Sequence, residues 1–233
     1  MKTEDVLKIM RSTGIHSFHE YNGDVFGHFE TRLLGLPIPY IQKPNEFYLL
    51  QCISGDMAMG AGIAREIETR YGFRSAVIGD FAESFPGFKR TDWIFDKRKC
   101  EFFKIPLIKT EEGEYGCGEK QVMRFDKEIG SIVMTEKVPN IIGLVTKEHY
   151  YDKPTLYDMR KALTNLRDIF VKTCLYPYDE NEPYTIEFIA PHIGCGLDKL
   201  DWDDVRDTIF DVFRELMAQD RVIFSIVEKE YQG

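Results

Sequence analysis

Phe47-Tyr-Leu-Leu-Gln-Cys-Ile-Ser54 runs directly into Gly55-Asp-Met-Ala-Met-Gly60-Ala-Gly62-Ile-Ala64. The first eight residues form an apolar run closed by a small polar residue, the pattern of a strand buried in a sheet. From Gly60 to Tyr71 the residues Ile63, Ala64, Ile67 and Tyr71 recur at helical spacing, and Gly72 stands where a C′ glycine ends a helix. A strand, a glycine-rich turn and a helix therefore follow one another.

Toward the C-terminus the same alternation repeats. Ile141–Thr146 (IIGLVT) reads as a second buried strand. Leu156, Met159, Leu163, Leu166 and Phe170 give one apolar stripe at steps of three and four, with Pro154 placed in the helix's first turn. Tyr184–Ala190 is the next strand. Trp202, Val205, Ile209, Val212, Phe213 and Leu216 mark another amphipathic helix with Asp201 as N-cap, and Arg221–Val227 closes with a strand. Strands alternating with helices predict an α/β fold of three α/β/α layers around a mixed, mainly parallel sheet. Residues 1–45 are less regular, broken by Pro37, Pro39 and Pro44, with Met1–Met10 read as a short helix. Between Arg74 and Asn140 aromatic and charged residues interleave. There Phe102–Ile108 reads as a strand, and Gly113, Gly116 and Gly118 as a turn at a hairpin tip.

The chain has 233 residues, 43% of them hydrophobic, which suits one well-buried domain. Its formal net charge of −9 disfavours general binding to nucleic-acid backbones. It does not oppose one small anion held by main-chain amides. The five cysteines (Cys52, Cys100, Cys117, Cys174 and Cys195) are odd in number and contain no CxxC pair, so neither a disulfide framework nor a structural zinc site is expected. No stretch resembles a signal peptide or a membrane span. The expectation is a cytoplasmic monomer with no cofactor and no metal.

In sheets of this kind ligands bind beyond the carboxyl ends of the strands. Three segments lie there. In the Ser54–Ala64 turn, Gly60 and Gly62 let a ligand approach the backbone, and the following helix aims free N–H groups at the same point. The P-loop and Rossmann patterns are both absent. Pro191-His-Ile-Gly-Cys-Gly-Leu-Asp198 again joins a strand to a helix, with Gly194 and Gly196 able to cradle a phosphate and Asp198 just past them. Lys147 ends a strong strand and so points toward the cleft. Alone, the first turn reads equally as ligand-free and Asp198 equally as a turn residue or helix-start acid, while Lys147 alone reads more readily as a solvated surface charge.

Together, CISGDMAMGAGIA and PHIGCGLDKLDW resemble the macrodomain family, in particular its branch of terminal ADP-ribose protein glycohydrolases and ADP-ribose-1″-phosphate-processing proteins. Thr146-Lys147, Lys153-Pro154-Thr155 and Gly194 to Asp198 match that branch, and Gly23-Asp24-Val25-Phe26 resembles the family's adenine-contacting Gly-Asp-Leu-Phe. The resemblance covers roughly 20–72 and 140–228. It implies one macrodomain over 1–233, with 18–73 and 139–229 as its core and 74–138 as an insertion after the first conserved helix.

The resemblance also implies roles. Asp24 accepts from the adenine amino group beside the Val25 amide, and Ser54 lies near the base or ribose. Gly60, Ala61, Gly62 and Ile63 pack against phosphates and distal ribose. Gly194, Cys195, Gly196 and Leu197 cradle the diphosphate, and Thr146 joins the ligand-binding set. Lys147 and Asp198 then face the anomeric carbon of the distal ribose, as nucleophile and as acid/base. The implied activity is hydrolysis of ADP-ribose from acidic residues of modified targets. Phosphatase action on ADP-ribose-1″-phosphate, deacylation of O-acetyl-ADP-ribose and a non-catalytic ADP-ribose reader are alternatives. Two further expectations concern neighbouring side chains. In one scheme amide dipoles at the Gly194–Gly196 cradle lower the Cys195 thiol pKa, against the commoner reading of a small packing residue; in another His149 relays protons to Lys147, against the commoner reading of a surface histidine.

Overall fold

A computed structural model of the chain describes residues 17–37, 44–85, 88–89, 93–96, 101–104, 107–109, 115–117, 119–172 and 184–228. The helix read at Met1–Met10 lies outside them. In chain order the elements are β1 (Phe18–Asn22), α1 (Val25–Leu33), β2 (Glu46–Ser54), α2 (Gly62–Tyr71), α3 (Phe73–Glu83), β3 (Ile94–Asp96), β4 (Glu101–Lys104), β5 (Leu107–Lys109), β6 (Tyr115–Cys117), β7 (Gln121–Arg124), β8 (Ile132–Val133), β9 (Ile141–Lys147), α4 (Leu156–Phe170), β10 (Ile186–Ala190), α5 (Trp202–Ala218) and β11 (Val222–Glu228).

The main sheet runs β1-β11-β10-β2-β9-β8. Its first five strands are parallel and β8 pairs antiparallel with β9 at the edge. Alternation along the strands builds two cores. Leu50, Leu144, Phe188 and Phe224 pack with Met159, Leu163 and Phe213 of α4 and α5. Leu49, Ile53, Val145 and Ile189 pack with Phe26, Phe29, Ile67 and Phe73 of the first three helices. The expected three layers and mainly parallel sheet are present. Because the five strands share a direction, Asn22, Ser54, Lys147, Ala190 and Glu228 all lie at one edge.

Caps explain the helix boundaries. Asp201 accepts from the Asp203 and Asp204 amides and starts α5. Thr155 and Asp158 form a reciprocal capping box at α4. Pro154 therefore precedes the N-cap instead of occupying the first helical turn as expected. Gly72 ends α2 at φ 66°, a conformation that glycine adopts without a Cβ penalty.

Besides the short strands β3, β6, β7 and β8, three elements escape the sequence reading: β1, α1 and α3. The last begins immediately after Gly72. The Glu68 carboxylate accepts from the Arg74 and Ser75 amides, so a side chain six residues back caps the new helix. The single strand expected over Phe102–Ile108 is instead two. Glu101–Lys104 is the central strand of an antiparallel β3-β4-β7 sheet, and Leu107–Lys109 pairs with Tyr115–Cys117. Pro106 falls between them, and proline has no N–H to give a ladder. Gly116 lies within β6 rather than in a turn, while Gly113 and Gly118 lie outside the described residues. Among the described residues, no helix is long and apolar enough to cross a membrane.

Candidate active site

Five strand ends place the site. After β2 the chain turns sharply: Met57 and Met59 hold φ values of 53° and 41°, unusual for side-chain-bearing residues. Burial of both methionines in the core compensates that strain. Asp56 organises the turn. Its Oδ1 accepts from the Ser54 hydroxyl at 2.5 Å and from the Ala58 amide at 3.2 Å. The sequence reading passed over Asp56, although an Asp just after a strand and a glycine is a common turn former. Ala61 is the N-cap of α2 and no side chain caps that helix, so its leading amides stay available to an anion. Gly60, Ala61 and Gly62 are exposed at the surface of this turn, Ile63 is half-buried, and Ser54 is buried beneath them.

The second loop follows β10. Gly194 adopts φ 76°, and a Cβ there would lie 2.7 Å from the Met159 methyl, so the site demands glycine. Gly196 differs: a Cβ there would meet nothing within 4 Å. Its face opens on the space the loops enclose. The two glycine loops lie side by side, since a Cβ at Gly62 would be 3.5 Å from the exposed Leu197 side chain. Lys153 Nζ, 2.5 Å from the Leu197 carbonyl, ties this loop to the turn after β9.

Between them stand Lys147 and Asp198. Lys147 Nζ is 2.5 Å from Asp198 Oδ1, with side-chain exposures of 14% and 12%. Thr146 is fully buried beside the Cys52 thiol. Asp24 and Val25 lie at the end of β1, apart from this cluster. In the sheet, β1 and β9 are separated by four strand spacings, roughly 19 Å. Asp24 is exposed and caps α1 through the Phe26 amide, at 3.2 Å. One ligand touching Asp24 and Lys147 together must be elongated.

Of the two readings of Cys195, the structure supports the small packing residue, set against the core. Burial, reinforced by nearby Asp201, Glu228 and Asp198, pushes the Cys195 thiol up to about 12. Burial likewise raises Cys52 to about 12, with Asp198 adding to it. Desolvation of a thiolate outweighs any help from loop amides, so both thiols stay protonated at neutral pH. His149 turns to Asp152, with Nδ1 at 3.2 Å, and stacks on Tyr151. His192 stacks on Trp202 at 4.1 Å. Glu148, His149 and Asp152 bring potential ligand atoms within 4.8 Å of one another.

Beneath α1 lies a buried polar cluster. Glu187 accepts from Arg32 Nε at 2.6 Å and from the Ser225 hydroxyl at 2.5 Å, with His28 at 3.3 Å. Burial alone would raise its carboxyl pKa. The hydrogen bonds from His28 and Ser225 and the Arg32 charge overcome that and hold it below the usual range.

No family model matches the chain. The uncharacterized protein 032R of Invertebrate iridescent virus 6 is 33% identical over 86 residues, covering 36% of this chain and 75% of that protein. The ADP-ribose glycohydrolase OARD1 of Bos taurus is 23% identical over 171 residues, 73% of this chain and 76% of its own length. Among solved structures, a protein of unknown function from Bacteroides thetaiotaomicron superposes with a TM-score of 0.50 at 11% identity, over 91% of this chain and 97% of that one. That superposition establishes a shared fold. The macrodomain of Thermus aquaticus DarG superposes with a TM-score of 0.47 at 14% identity, over 92% and 98% of the two chains.

Proposed function

This chain belongs to the macrodomain family, and from that premise we propose that it binds ADP-ribose and hydrolyses it from acidic residues of modified targets. The observation that carries the reading is the Lys147–Asp198 contact at the mouth between two glycine loops. A diphosphate would rest on main-chain amides of the Gly60–Ile63 and Gly194–Leu197 segments. Asp24, across the sheet edge, would receive the adenine amino group beside the Val25 amide. The roughly 19 Å between strand ends suits an extended dinucleotide-like ligand.

An ammonium paired with a carboxylate has no lone pair. In this reading the Asp198 carboxylate takes its proton, which frees the amine. The Nζ lone pair attacks C1″, the bond from C1″ to the acyl oxygen breaks, and its electrons leave with the released glutamate or aspartate carboxylate. Water then attacks C1″ and the C1″–Nζ bond breaks, its electron pair returning to nitrogen. The water's proton passes to one Asp198 oxygen while the proton stored on the other returns to nitrogen, and Asp198 then gives up the remaining proton to solvent. Free ADP-ribose and the original lysine result.

The test has two readouts. Calorimetry with ADP-ribose measures binding, and turnover on a glutamate-linked ADP-ribosyl protein measures catalysis. Running ADP-ribose-1″-phosphate and O-acetyl-ADP-ribose beside it identifies the preferred leaving group. The absence of any ADP-ribose complex at millimolar ligand would refute the reading.

A further inference from the structure

The turn after β9 carries a surface that neither the fold nor the proposed chemistry uses. Tyr150 and Tyr151 are 65% and 64% exposed, and neither ring joins either core. They pack instead on each other, edge to face at 5.1 Å, and Tyr151 stacks on His149 at 5.1 Å and 4°. The backbone that carries them is tied down. The Tyr150 amide donates to Asp56 Oδ2 at 3.2 Å, the Asp56 amide donates to the Glu148 carbonyl at 3.3 Å, and Lys153 holds the Leu197 carbonyl. The turn is thus anchored to both glycine loops and begins one residue after Lys147. It borders the end of the cleft where the group released from C1″ would leave.

Its charge is negative. Glu148 and Asp152 offer carboxylate oxygens within 4.8 Å of each other and of a His149 ring nitrogen. Asp152 is engaged by His149, and among the described residues no lysine or arginine pairs with either acid. Of the nearby cations, Lys147 pairs with Asp198, Lys153 donates to a carbonyl and Lys127 lies over the Phe125 ring. Exposed ring faces beside two carboxylates form a surface complementary to a guanidinium or an ammonium. The same carboxylates repel a phosphodiester strand, which would otherwise find the rings suitable for stacking.

We infer that Glu148, Tyr150, Tyr151 and Asp152 form an acceptor-recognition platform selecting polypeptides with arginine or lysine beside the ADP-ribosylated residue. This rests on the proposed function and adds to it the class of acceptor. An exposed cation–ring contact is worth about two- to fivefold in affinity, so one ring and one carboxylate together give roughly tenfold.

The experiment measures Kd for peptides carrying ADP-ribose through a non-hydrolysable linkage and flanked by arginine, alanine or glutamate. Free ADP-ribose and an ADP-ribosylated single-stranded oligonucleotide are titrated beside them. The arginine-flanked peptide is expected to bind roughly tenfold tighter than the glutamate-flanked one. Tyr150→Ser with Tyr151→Ser should remove most of that difference. Glu148→Arg should reverse its sign, and all variants should keep wild-type affinity for free ADP-ribose. A reversal produced by one exposed charge distinguishes recognition from a structural role of the turn. Equal Kd values for the three peptides, or tighter binding of the oligonucleotide, would overturn the inference while free ADP-ribose still binds. Loss of free ADP-ribose binding by the wild type would overturn the proposed function and this inference with it.

Discussion

Lys147 Nζ and Asp198 Oδ1 are 2.5 Å apart, although 51 residues separate them in the chain. The sheet makes the meeting possible. β9 and β10 flank β2, so the residues leaving their carboxyl ends converge over the Ser54 turn.

Lys147→Ala should lower turnover of the glutamate-linked substrate by at least about 10²-fold, because it removes the nucleophile. ADP-ribose affinity should change by less than about threefold, since the diphosphate contacts are main-chain. Single-turnover kinetics with calorimetry on the same preparation checks both. Unaltered turnover would sink the nucleophile assignment.

Asp24 serves the helix and the proposed ligand at once, and two variants separate these roles. Asp24→Ala removes the cap of α1, costing about 1 kcal/mol of stability, as well as the adenine contact. Asp24→Asn keeps a capping oxygen and should hold stability within about 0.5 kcal/mol. Both should weaken ADP-ribose binding by about tenfold or more, in line with a hydrogen bond to a charged acceptor. Urea titration and calorimetry give the two readings.

The two cradle glycines should fail differently. Gly194→Val meets the Met159 methyl and a left-handed backbone, and should cost about 2 kcal/mol or more. Gly196→Val points into open space, so it should leave thermal stability near wild type while abolishing ADP-ribose binding. Thermal melts alongside calorimetry decide it. Normal ligand affinity in Gly196→Val would place the ligand elsewhere.

Arg32→Met leaves the Glu187 carboxylate buried with fewer partners and should destabilise the fold by about 3–5 kcal/mol. The wild type should also show the acid sensitivity of a carboxyl with a depressed folded-state pKa. Its stabilisation is complete above the unfolded pKa near ~4.3 and fades as pH falls through the folded value. Denaturant midpoints from pH 7 to 3 measure this, and Glu187→Gln should flatten the acid limb.

Cys195→Ser should retain turnover within a few-fold of wild type. Neither Cys52 nor Cys195 should react appreciably with iodoacetamide at neutral pH, since thiols held near 12 carry almost no thiolate. Mass spectrometry after alkylation reads this out.

What the sequence disclosed and what it hid follow from the range of the interactions. The long elements β2, α2, β9, α4, β10, α5 and β11 carry their periodicity in contiguous residues, and each was legible to within a few positions. α3 was not, because its apolar residues, Phe73, Val77, Ile78 and Ala82, lie among others without a clear stripe and its cap comes from Glu68 in the preceding helix. β1 is short and half-exposed, and it is defined by its pairing with β11, more than 200 residues away. At the site, glycines, lysine and aspartate were visible because their chemistry is local to strand ends. Asp56 was legible only as a turn former beside Ser54 and Ala58; its bond from the Tyr150 amide, which ties two loops together, is assembled only by the folded chain. For Cys195 the sequence left two readings open, and burial decided between them.

The Lys127 carbonyl fills the space that a Cβ at Gly55 would need, only 2.2 Å from it, and the Lys127 amide donates to the Gly55 carbonyl. The small antiparallel strands before Phe125 are thereby braced against the floor under Ser54. Anyone trimming β3–β7 to obtain a minimal protein should keep Phe125–Ser131 as a strut. Cutting through it would release the turn that seats Asp56, and the loss would register first as a softened cleft rather than as an unfolded chain.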